Sequence, residues 1–185
     1  MNTLSEVYKN SCELAIAEGM EQHGSDKGTH HSYIDVYESL FLKYKDKKIN
    51  LLEVGVNRGY SLYTWKNYFV NADNLVGIEY QPHIVYKKDG VKLIYSDIND
   101  ADNVNSQLGD MKFDIIIDDG SHRIEDQFFA FELLKDRLNP GGIYVIEDIQ
   151  NLESDILKFQ KYYPKVYDLR QNKNRWDDVL FVWEN

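Results

Sequence analysis

The chain has 185 residues, 31 acidic against 21 basic side chains and a formal charge of −10, with 43% hydrophobic and 28% charged residues. That suffices for one domain with a core but not for two, and the composition is globular rather than disordered. The acidity, with no basic run longer than Lys47-Lys48 or Lys87-Lys88, argues against nucleic acid or an anionic membrane as partner. Cys12 is the single cysteine, so no intramolecular disulfide forms. The first twenty residues lack the apolar stretch of a signal peptide, and no apolar run approaches the roughly 20 residues of a membrane span, so a soluble, cytoplasmic protein is expected.

In chain order, Leu4 to Glu18 has the apolar spacing of a helix, and Gly19 ends it. Gly19 to Ser32, with three glycines and His23, His30 and His31, reads as a loop. A second helix is expected from Tyr33 to Tyr44. From Leu51 onward short apolar runs alternate with helical segments. Strands are expected at 51–54, 74–79, 91–95, 113–117 and 143–146, and helices at 61–69, 101–108, 124–138 and 151–162. Nearly continuous Val, Ile and Leu strands alternating with helices predict an α/β, doubly wound, mostly parallel sheet covered on both faces. Lys165 to Leu169 and Val179 to Trp183 are joined by a polar loop too short for a crossover, so they should close the sheet as an antiparallel hairpin. With no internal repeat and no linker, residues 1–185 read as a single domain. Residues 1–50 form N-terminal helices and a loop, and 51–185 the sheet.

The first strand runs through Glu53 into Gly55-Val56-Asn57-Arg58-Gly59-Tyr60-Ser61, and a helix begins at once. Glycines after a first strand let the backbone approach a ligand, and a helix N-terminus offers free N–H groups. Asn57 stands where a dinucleotide fingerprint would have its middle glycine, which counts against a nicotinamide enzyme. Glu79 ends the second strand, where a carboxylate can accept from ribose hydroxyls, and Ser96-Asp97 follow the third. The alternative for these acids is helix N-capping.

Two further strand ends bring carboxylates together: Asp118-Asp119-Gly120-Ser121-His122 after the fourth strand and Glu147-Asp148 after the fifth. Crowded carboxylates must be protonated, solvated or neutralised by a cation, and an all-oxygen set suits Mg²⁺, with Mn²⁺ or Ca²⁺ as substitutes. His122 lies close enough to act as a base. Capping by Ser121 and Asp148 is the structural alternative.

The pattern Glu53-x-Gly55-x-x-x-Gly59, Glu79, Ser96-Asp97 resembles the class I S-adenosylmethionine-dependent methyltransferases. With the acids at the chemical end it resembles the metal-dependent sugar O-methyltransferases of the macrocin, mycinamicin and rhamnosyl group. The resemblance implies a Rossmann-like methyltransferase fold and S-adenosylmethionine bound by Glu53, Gly55, Asn57, Gly59, Ser61, Glu79, Ser96, Asp97, Asp118 and Lys27. It further implies a metal held by Asp119, Glu147 and Asp148, with Asp119 and His122 catalytic. Gly24-Ser25-Asp26-Lys27-Gly28 is similar to the loop that closes over the site in that family. The expected acceptor is a saccharide or polyol, with a homo-oligomer possible. A catechol-type methyltransferase and an inactive cofactor-binding protein are the alternatives.

Overall fold

The computed structural model describes residues 2–19, 24–81 and 90–185. Residues 20–23, which include His23 of the expected loop, and the Lys87-Lys88 pair lie outside them. Five parallel strands, β1 (Asn50–Val54), β2 (Asn74–Glu79), β3 (Lys92–Tyr95), β4 (Phe113–Asp118) and β5 (Leu138–Ile146), are joined at the carboxyl-side edge by the antiparallel β6 (Lys165–Asp168) and β7 (Val179–Glu184). The sheet order is β3-β2-β1-β4-β5-β7-β6. This is the doubly wound sheet and terminal hairpin that the apolar pattern predicts.

Side chains alternate between the two faces, as the pleat requires. Leu51, Ile115, Ile117, Ile143 and Val145 pack under α1 (Leu4–Ala17), α2 (Ile34–Phe41) and α3 (Tyr60–Tyr68). Leu52, Val54, Ile116, Tyr144 and Ile146 pack on the other face under α4 (Ala101–Leu108), α5 (Ile124–Leu134) and α6 (Leu152–Phe159). Thr3 and Glu6 close a capping box on α1, fixing where that helix begins. The expected helices 124–138 and 151–162 are each shorter, ending in 3-10 turns at Lys135–Arg137 and Gln160–Tyr162. The connection between β6 and β7 contains one short helix, α7 (Arg170–Lys173).

Segment 24–33 crosses the carboxyl edge of the sheet. Tyr8 on α1 accepts the Thr29 N–H at 3.0 Å and donates to the Ser25 carbonyl at 2.6 Å. From the far side, Lys173 at the end of α7 donates to the carbonyls of Gly28, Thr29 and His31. The strands diverge in chain order at β1 and β4, and in sheets of this kind the crevice above that switch point is where ligands bind.

Candidate active site

A cavity of about 1100 Å³ opens at that switch point. Its floor begins with Gly55, whose φ of +82° suits only glycine and whose added Cβ would lie 1.9 Å from the Asp119 carbonyl oxygen. The loops after β1 and β4 therefore touch at backbone level, and Asp119 N–H donates to the Val54 carbonyl at 2.9 Å. Asn57 adopts φ 46°, so it supplies the left-handed turn expected of the missing middle glycine. Gly59, at φ 77°, is the N-cap residue of α3. Glu79 Oε2 accepts the N–H groups of Val56 at 3.1 Å and Asn57 at 2.7 Å, and Oε1 accepts that of Gln81 at 2.8 Å. It braces the glycine loop and lines the cavity beside it. Ser61, Ser96 and Asp97 also line the cavity. Asp97 makes an Asx turn to Asn99 while Asp100 caps α4, so capping does not account for Asp97.

Strand alternation explains the next layer. Glu53, Asp119 and Glu147 continue the parity of Leu51, Ile117 and Val145, so all three turn to the α2–α3 side. There the Lys27 ammonium, 1% exposed, meets Asp119 at 2.5 Å, Glu147 at 2.8 Å and Glu53 at 3.7 Å. Tyr37 on α2 donates to Glu147, and Ser61 and Trp65 on α3 donate to Glu53. Burial chiefly pushes Glu53 up to about 7 against the pull of Lys27, and drives Glu147 well above the usual carboxylate range.

Three of the residues expected to contact the cofactor do not line the cavity. Glu53 and Lys27 sit behind the cavity wall, paired with each other, and Asp118 has the opposite parity and is 2% exposed beneath it. Burial raises Asp118 to about 7, although one of its oxygens accepts the Gly120 N–H. Glu147, expected as a metal ligand, has its oxygens engaged by Lys27 and Tyr37 in this arrangement.

Among the described residues, the ligand atoms that gather within 4.8 Å of one another belong to Asp119, His122 and Asp148. His122 Nε2 lies 3.1 Å from Asp119 Oδ1, and Nδ1 lies 3.3 Å from Asp148 Oδ2. His122 and Asp148 both hold positive φ, 58° and 55°, a strained backbone that the surrounding contacts maintain. Burial works to lower the imidazole, but the Asp119 hydrogen bond and the charges of Asp119 and Asp148 outweigh it and hold His122 up at about 9. Asp148 is raised to about 6, by burial and then by the charge of Asp119. It does not cap α6, because its Oδ1 accepts from Tyr33 at 2.6 Å and faces His31 Nδ1 at 3.3 Å. Ser121 accepts the Arg123 N–H at 3.3 Å and donates to Asp126 at 2.6 Å, so it does serve the start of α5.

Sequence reasoning missed His31, Tyr33, Tyr37 and Asp178 as partners of these acids. His31 stacks on Tyr33 at 4.7 Å, and its Nδ1 also faces Asp178 at 3.4 Å. The usable signal was the helical spacing Tyr33, Tyr37, Phe41, which puts two hydroxyls on the buried face of α2 where an all-apolar stripe would suffice.

A methyltransferase domain family model matches residues 52–149. The chain is 36% identical over 155 residues to the 8-demethyl-8-alpha-L-rhamnosyl tetracenomycin-C 2'-O-methyltransferase of Streptomyces olivaceus, covering 74% of this chain and 40% of that protein. It is 32% identical over 129 residues to the mycinamicin VI 2''-O-methyltransferase of Micromonospora griseorubida, covering 64% and 32%. Among solved structures, the MycE methyltransferase of mycinamycin biosynthesis in complex with Mg and SAH superposes with a TM-score of 0.67 at 25% identity, over 94% of this chain and 54% of that one. This chain thus spans well under half the length of the two curated relatives. The family match runs from β1 past β5 and takes in every strand end that lines the cavity, and by it this chain belongs to the methyltransferase domain family.

Proposed function

We propose that the protein is an S-adenosylmethionine-dependent, divalent-cation-assisted O-methyltransferase acting on a hydroxyl of a sugar or sugar-containing natural product. The observation that carries this reading is the pair Asp119 and His122 on one wall of a cavity, with the buried Asp148 within 4.8 Å of both, facing the glycine loop with Glu79 and Asp97 on the other wall. The curated relatives named above methylate glycosylated small molecules, and the related structure holds Mg and SAH, which supports the same cofactor and metal here.

In this reading the loop from Gly55 to Gly59, with Ser61, takes the methionine end of the cofactor. Glu79 takes the ribose hydroxyls, and Ser96 and Asp97 the adenine. Asp119 and Asp148 would supply hard oxygen donors that fit Mg²⁺, with Mn²⁺ or Ca²⁺ as substitutes, and Glu147, with Lys27 displaced, would be the third. A bound cation would lower the pKa of a nearby hydroxyl, and each unit gained is worth about 1.4 kcal/mol. His122 would lose its proton once a cation held by Asp119 and Asp148 neutralised the two carboxylates that keep the ring protonated. Nε2, no longer paired with Asp119, would then accept the hydroxyl proton while the methyl group passes in line from sulfur to oxygen. Positioning supplies much of the remaining rate.

The test is thermal-shift titration with S-adenosylhomocysteine, with and without Mg²⁺, followed by methyl transfer to a panel of glycosides. Stabilisation by both ligands, with transfer abolished in His122→Ala and Asp119→Ala while cofactor affinity stays within about threefold, is the expected result. Full turnover in either variant would overturn the assignment.

A further inference from the structure

Lys27 is the one described lysine that is 1% exposed, and the proposed chemistry gives it no role. Its ammonium bridges Asp119 and Glu147, carboxylates that follow neighbouring strands, at 2.5 and 2.8 Å, with Glu53 at 3.7 Å behind them. Asp119 is shared: Oδ2 is held by Lys27, and Oδ1 faces His122 in the group able to ligate a cation. A single positive charge from segment 24–33 therefore stands on the carboxylates that a divalent cation would draw on. Two cations that close repel strongly, and a carboxylate oxygen given to one is withheld from the other.

We infer that Lys27 and a divalent cation compete for Asp119 and Glu147, so that Lys27 is a positioning residue setting how tightly the site takes up metal. The ammonium keeps the two carboxylates in place and neutralised when no cation is bound, and yields them when one arrives. Because Lys27 belongs to the segment crossing the cavity, its release also alters how that segment is anchored; Tyr8 and Lys173 keep the segment docked. This inference rests on the cation site proposed above.

The experiment measures Mn²⁺ binding by electron paramagnetic resonance on the full chain at neutral pH, without cofactor or acceptor. Lys27→Met, which keeps side-chain length and removes the charge, should bind Mn²⁺ about tenfold or more tightly than wild type, whereas Lys27→Arg should not. Damage to the site lowers affinity, so tightening is a readout that a merely structural role would not produce. Should Lys27→Met fail to fold, the pair Lys27→Met with Glu53→Gln removes one buried charge of each sign and should show the same tightening. Equal or weaker Mn²⁺ affinity in the charge-removed variant overturns the competition while leaving the cation site standing. No Mn²⁺ bound by any of the proteins overturns both.

Discussion

Glu79 carries two tasks in one carboxylate. One oxygen holds the Val56 and Asn57 N–H groups and the other the Gln81 N–H, yet the side chain still lines the cavity. Hydrogen bonds to a charged acceptor are worth about 1.5–3 kcal/mol. Glu79→Ala should therefore weaken S-adenosylhomocysteine binding by about 10- to 100-fold in calorimetry, and an unchanged affinity would remove its assignment. Glu79 was legible in the sequence because a strand-end acid after a glycine turn is a local pattern. Lys27 was not: its partners lie 92 and 120 positions away, and nothing in Gly24-Ser25-Asp26-Lys27-Gly28 marks its lysine as buried. The three carboxylates of that cluster could still have been read. Strand parity alone places Glu53, Asp119 and Glu147 on one face and Asp118 on the other, and adjacency in the sequence misled where alternation would have sorted them.

At the scale of elements, the joint between the β1 and β4 loops is the most constrained part of the site. Any side chain at position 55 must occupy a left-handed turn and displace the Asp119 backbone, which itself bears a candidate ligand. Gly55→Ala should cost at least about 2 kcal/mol in urea unfolding and depress cofactor and metal binding together. Near-normal stability would mean that the two loops can separate freely. The strands and helices were legible because their apolar periods are strong. Their ends were less so. β5 begins at Leu138, five residues before the apolar run at Ile143, because its first stretch pairs with Phe113 through a register shift that carries Pro140, Gly141 and Gly142 inside the strand. Those residues ordinarily signal a turn, and only the neighbouring strand overrides them.

For the whole molecule, the charge of −10 acquires a location and a pH dependence. Glu53 and Asp118, each raised to about 7, Asp148, raised to about 6, and His122, raised to about 9, all bind protons more tightly folded than unfolded. Each contributes stability that is fully present below its unfolded pKa and is lost as pH rises through its folded value, so the metal-free protein should lose stability from about pH 4 to about pH 9. Asp119, which is shifted downward, contributes with the opposite sign and only in the acid range below its ordinary value. A divalent cation binds the same carboxylates deprotonated, so its stabilising effect must grow as pH rises. Calorimetry in a chelating buffer should give a Tm that falls between about pH 5.5 and about pH 8.5, and added Mg²⁺ should raise Tm more at the higher pH. A metal-free Tm that rises over this interval would show that the strand-end acids are ionised and paired by something other than the cation. An equal Mg²⁺ shift at both pH values would place the cation away from Asp119 and Asp148.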